Sequence, residues 1–160
     1  MLISDDIIND LIESMLSNKG YFNRLIFDGY PRNFNQLKYL DILIKKYNQK
    51  ISCVLSLKVD KAVVFKRILG RQVCSKCGLT FHELYNPSAK NNHNCDSKFL
   101  QKRSDDNEKT ITSRFDTYFK ETLPILDYYR NQKLLYEIDG TKHIHVIYKE
   151  IRQIIRSLET

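Results

Sequence analysis

The chain has 160 residues, 42% of them hydrophobic, and its 26 Lys and Arg outnumber 19 Asp and Glu to give a formal net charge of +7. That length can bury one real core, with room for a small insert, and the positive surplus favours anionic partners such as nucleotides. No apolar run reaches the roughly 18 residues a membrane helix needs, and the acidic opening around Asp5 and Asp6 argues against a secretory signal, so a cytoplasmic protein with no membrane partner is expected.

Ser4 followed by Ile7, Ile8, Leu11, Ile12, Met15 and Leu16 predicts a capped amphipathic helix that ends by Gly20. Residues 24–27 read as a short buried strand, stopped by Asp28-Gly29-Tyr30-Pro31. Phe34, Leu37, Leu40 and Ile44 give helical spacing from Asn33 to about Tyr47. Residues 51–57 read as a second strand, and Asp60 caps a helix through Val63, Val64, Ile68 and Leu69. Between Arg71 and Arg103 the helical period vanishes, and Gly, Pro, Asn, His and Cys take over. This predicts a small inserted lobe with too little core to hold itself together unaided. Asp105, Asp106, Asn107 and Glu108 open a long helix, their charge suiting its positive end, and Pro124 bends or ends it. Residues 134–138 form a third strand, and Ile144, Ile147, Ile151, Ile154 and Leu158 a closing helix. The alternation of strands and helices predicts an α/β fold with a mostly parallel sheet.

Several motifs carry chemistry. Asp28-Gly29-Tyr30-Pro31-Arg32 ends a strand, where open α/β sheets collect ligands. Gly29 lets a ligand approach the backbone, Arg32 offers a planar fork to a phosphate, and Gln36 stands one turn further on, able to bond a base. A plain turn with a surface arginine is the alternative. Arg67 and Arg71 share one helix face, where two like charges are relieved by solvent or by an anion between them. Arg103 precedes the acidic helix start and Arg114 lies about three turns, roughly 15 Å, along it. Asp105 and Asp106 either cap that helix or pair with the arginines. Cys74-x-x-Cys77, with no secretory signal, points to a metal rather than a disulfide. Its further ligands come from His93, Cys95 and Asp96, because Lys98 stands where a second Cys-x-x-Cys would end. Four closed ligands make a structural zinc site; a hairpin with reduced thiols is the alternative. Cys53 reads as a buried core thiol. Nowhere in the chain is there a G-x-x-x-x-G-K-[ST] phosphate loop.

In order and spacing these motifs, together with Asp139-Gly140-Thr141-Lys142, resemble the long bacterial form of adenylate kinase, which carries an inserted LID lobe. The resemblance implies a three-layer, parallel-sheet, P-loop kinase-like fold, truncated at its N-terminus. Its CORE would comprise 1–71 and 105–160, with a zinc-ribbon-like LID at 72–104. It implies phosphoryl transfer, ATP plus AMP giving two ADP, with Mg²⁺ and with a structural Zn²⁺ on Cys74, Cys77, His93 and Cys95. Gly29, Arg32 and Gln36 would bind AMP, with Leu2 and Ile3 near its adenine. Arg67, Arg71 and Lys142 would serve ATP. Arg103 and Arg114 would reach the phosphates of AMP and the transferring group, so that Arg32, Arg71, Arg103 and Arg114 carry the catalysis. Asp28 would organise the Mg²⁺ water shell, and Phe81-His82 takes the place of the lid aromatic and histidine. Family members also have a central strand between the strands matching 24–27 and 51–57; without it two edges are exposed, and a family otherwise monomeric is expected here to self-associate. Without the loop, this chain is expected to be weakly active alone. The rival is a non-catalytic, zinc-stabilised module for nucleotides or nucleic acid; the lack of base-stacking motifs speaks against nucleic acid.

Overall fold

The computed structural model describes residues 4–88 and 93–158. Helix α1 (Asp5–Ser17) follows Ser4 and carries Asp5 and Asp6 in its first turn, where they suit the helix dipole. Helix α2 (Phe34–Lys46) is capped by Asn33, whose Oδ1 accepts the Gln36 N–H at 2.9 Å. Leu37, Leu40 and Leu43 of α2 are all but sealed from solvent. Leu40 and Leu43 meet Leu16 of α1, whereas Leu37 meets Ile125 and Tyr129, so α2 joins two apolar clusters.

Strand β1 (Val54–Lys58) leads into helix α3 (Lys61–Leu69). Gly70 then gives way to a separate lobe, in which β2 (Arg71–Cys74), β3 (Thr80–His82) and β4 (Leu100–Gln101) form an antiparallel sheet in the order β3-β2-β4. Helix α4 (Glu108–Thr117) returns the chain to the first unit. It runs through a π-helical segment, Tyr118–Thr122, into α5 (Leu123–Asn131). Strand β5 (Leu135–Asp139) lies parallel to β1, with Val54 opposite Leu135 and Lys58 opposite Asp139, and helix α6 (Ile144–Leu158) follows. Parallel β1–β5 with helical crossovers is the α/β pattern. No described helix is long and apolar enough to cross a membrane.

The predicted strand at 24–27 does not form. Leu25 and Phe27 lean on the α1–α2 cluster, but Ile26 is 92% exposed. A strand needs a neighbour to take its backbone N–H and C=O groups, and the described sheet pairs β1 with β5 alone. The second strand also starts later than expected, at Val54 rather than Ile51.

Candidate functional site

Two adjacent carboxylates collect three of the five motif arginines. Asp106 is fully buried and forms a two-point pair with Arg71 of β2, with Nε to Oδ2 at 2.8 Å and Nη2 on Oδ1. Asp105 takes Arg103 through both oxygens, at 3.0 and 2.9 Å, and Arg114 of α4 at 2.7 Å. The Arg114 guanidinium, followed by Arg103, holds the Asp105 carboxyl below its ordinary range, although partial burial opposes this. Asp105 and Asp106 therefore do not cap α4. Asn107 does, its Oδ1 accepting from Thr110 N at 2.9 Å. The two carboxylates are engaged by arginines on three separate segments, which leaves the next residue to start the helix.

The two pairings differ in how easily they yield. Arg103 and Arg114 are about half exposed, at 49% and 53%, and ion pairs in such settings contribute little. Both can give up Asp105 for another anion at small cost. Arg71 is held on a sealed carboxylate and stays in place. Arg67 and Arg71 do not share a helix face as expected, because α3 ends at Leu69 and Arg71 opens β2; Arg67 donates to Gly140 O at 2.8 Å and so ties α3 to the turn after β5. In that turn Asp139 accepts from Thr141, and Lys142 meets Glu150 at 3.3 Å. An open cleft of about 1040 Å³ lies alongside, walled by Lys58, Asp60, Ile111, Arg114, Phe115 and Asp139 among others.

A second cluster sits where α1 meets α2. Gly29 has φ 67°, a left-handed conformation that L side chains rarely adopt, so the turn favours glycine. Arg32 Nε donates to Gly29 O at 2.6 Å, and the side chain is otherwise open to solvent. Gln36 is buried; its Oε1 accepts from Arg32 N and its Nε2 donates to Asp5. Asp28, at the head of the turn, is exposed. Leu2 and Ile3 lie outside the described residues. Arg32 and Lys142 bond to Gly29 O and Glu150 rather than to Asp105 or Asp106.

In the lobe, the donor atoms of Cys74, Cys77, His93 and Cys95 all lie within 4.8 Å of one another. His93 Nε2 is buried with no hydrogen-bond partner, as an atom aimed at a cation would be. Asp96 is otherwise engaged, accepting from Lys98 N at 3.0 Å. Three thiols and an imidazole at this spacing suit a tetrahedral zinc ion. Burial works against the Cys74 thiolate, but the N–H groups of Cys77 and Lys76 and the His93 ring bring the thiol down to about 6.

One contributor escaped the sequence reading of the site, and a second was named there without its bonds. Asp5 figures in the sequence only as part of an acidic opening, yet it meets Gln36 across 31 positions. The motif also leaves unsaid what His82 does. Its Nδ1 accepts from Leu84 N (3.0 Å) and Tyr85 N (3.2 Å), which leaves the proton on Nε2 to meet Lys66 O at 3.1 Å. A Cβ on Gly70 would lie 2.5 Å from that Nε2, so this glycine lets the imidazole lock the end of α3 to the lobe.

The adenylate kinase family model matches residues 1–134. The chain is 40% identical to an adenylate kinase of Pelagibacter ubique over 96% of its own length and 72% of that relative. It is 35% identical to one from Archaeoglobus fulgidus over 99% of the chain and 74% of the relative. It is likewise 35% identical to one from Clostridium acetobutylicum, over 97% and 73%.

Proposed function

This chain belongs to the adenylate kinase family of nucleoside monophosphate kinases, and on that premise we propose that its site serves the reversible transfer ATP plus AMP to two ADP. The observation that carries this reading is the gathering of Arg71, Arg103 and Arg114 on Asp105 and Asp106. Phosphoryl transfer needs little covalent chemistry from the protein; it needs positioning and neutralised charge. Arg103 and Arg114 leave Asp105 for the phosphates, and Arg71 steadies the transferring group from its anchored position. Arg32 holds the AMP phosphate, Gly29 admits the ligand to the backbone, and Gln36 reads the base, with Leu2 and Ile3 beside it. Arg67 and Lys142 serve the ATP side. Mg²⁺, arriving with ATP, supplies further neutralisation, and Asp28 orders its water shell. The lobe at 72–104 acts as the LID over a CORE of 1–71 and 105–160, and its closure excludes water. Zn²⁺ on Cys74, Cys77, His93 and Cys95 stiffens that lobe and takes no part in the transfer.

The 160 residues contain no G-x-x-x-x-G-K-[ST] segment, and such a loop supplies backbone N–H groups and a lysine to the ATP phosphates. The chain by itself should therefore be slow. Titration with AMP and with ATP, followed by amide chemical shifts, should move both the 28–36 turn and the Asp105 region. A coupled assay should find ADP formation well below the roughly 1–100 s⁻¹ of ordinary kinases. Shifts in neither segment would refute the site, and turnover within that range would refute the need for the loop.

A further inference from the structure

We propose that Asp5 is a positioning residue that sets the choice of purine, by fixing which way round the Gln36 amide faces. The inference rests on the reading above, in which Gln36 meets the base of the acceptor nucleotide. The Gln36 side chain is held at both ends by groups of unambiguous chemistry. Arg32 N–H can only donate, so the atom 2.7 Å from it is the carbonyl oxygen Oε1. An ionised carboxylate can only accept, so the atom 2.7 Å from Asp5 Oδ1 is the amide nitrogen Nε2. Asp5 is itself gripped from α2, because Asn33 Nδ2 donates to its Oδ2 at 3.1 Å. The Asn33 amide has no freedom to turn, since its Oδ1 accepts from Gln36 N. Asn33, Asp5, Gln36 and Arg32 thus form one chain of bonds in which donors converge on the Asp5 carboxylate from both sides.

These bonds use half the capacity of the Gln36 amide. One N–H and one lone pair remain, in a fixed order. Adenine presents an N–H donor at position 6 beside a ring-nitrogen acceptor, the pattern a glutamine amide matches with two bonds. Hypoxanthine presents a carbonyl at position 6 and a ring N–H, and needs the amide reversed. Reversing Gln36 would set its NH₂ against Arg32 N–H and its oxygen against the Asp5 carboxylate. At 4% exposure, water cannot relieve either clash.

The test follows from replacing the carboxylate by an amide. In Asp5→Asn, Asn33 still demands an oxygen from position 5, so the new NH₂ faces Gln36 and favours the reversed amide. Arg32 N–H still favours the original one, and the two preferences oppose each other. Asp5→Glu keeps an acceptor-only group. Dissociation constants for AMP and IMP, which differ at position 6 and the adjoining ring nitrogen, should be measured on the 160-residue chain. The wild type should prefer AMP by about tenfold. Asp5→Asn should narrow the preference to within about threefold, and Asp5→Glu should keep it. Gln36→Ala should lose it. A folded Asp5→Asn with the wild-type ratio, or a folded Asp5→Glu that loses it, overturns the proposal; if Gln36→Ala also loses the preference, the base-reading role of Gln36 still stands. Gln36→Ala with the wild-type ratio, or a wild type that binds neither nucleotide or binds both equally, overturns both. A purely structural role for Asp5 would weaken both nucleotides alike and leave the ratio unmoved.

Discussion

Asp105 and Asp106 are neighbours in sequence with different duties. Asp106 is sealed and paired with one arginine, whereas Asp105 is shared by two arginines that solvent can reach. The Arg114 and Arg103 bonds keep the Asp105 pKa below its ordinary 3.8. A depressed carboxylate pKa contributes stability above the unfolded value and loses it as pH falls through the folded one. The melting temperature should therefore drop on acidification below about pH 4, and Asp105→Asn should make that drop shallower. An identical acid limb in the variant would contradict the pairing. The motif around Arg103 was legible in the sequence, but the division of labour within it was not. Asp105, Asp106 and Asn107 can all cap a helix, and only the positions of Arg71 and Arg114 decide that Asn107 does so. Asp5 was opaque for the same reason: its role depends on a contact between two helices that no local pattern records.

At the scale of elements, the lobe was the most readable part. Loss of helical period between Arg71 and Arg103 marked it, and the irregular second half of the cysteine pattern left three candidate ligands. His93 and Cys95 lie with Cys74 and Cys77 in one group able to hold a metal ion, while Asp96 accepts from Lys98 N in a turn. A lobe whose sheet has strands of four, three and two residues has little apolar core, so the metal should carry much of its stability. Elemental analysis should find about one zinc per chain, and a chelator should lower the melting temperature by on the order of 5 °C or more. Absence of zinc together with an unchanged melting curve would remove the metal from the account. The segment at 24–27 shows the opposite case. Leu25, Ile26 and Phe27 have strand-like composition, but composition cannot provide the neighbour that makes a strand. Pro124 was expected to bend or end its helix. The helix does not end there but continues, with a π segment just before Pro124 and with Leu123 N–H reaching back to Tyr118 O, a local adjustment frequent at functional sites.

For the whole molecule, the α/β alternation and a parallel sheet were legible in the sequence, but which strands pair, β1 with β5, was not. Nor was the convergence of distant side chains. Arg71, Arg103 and Arg114 come from a lobe strand, a connector and a helix, and they meet only because β2 and α4 place them on one pair of carboxylates. The account rests on the Arg103 and Arg114 guanidiniums turning from carboxylate to phosphate while Arg71 stays on Asp106. The most direct measurement is calorimetric titration of the 160-residue chain with a dinucleotide in which five phosphates join two adenosines, comparing wild type with an Arg103→Met, Arg114→Met double variant. The wild type should bind, a competing oligonucleotide should not displace the ligand, and the double variant should bind at least about tenfold more weakly. Equal binding by both proteins, or none by the folded wild type, would contradict the account.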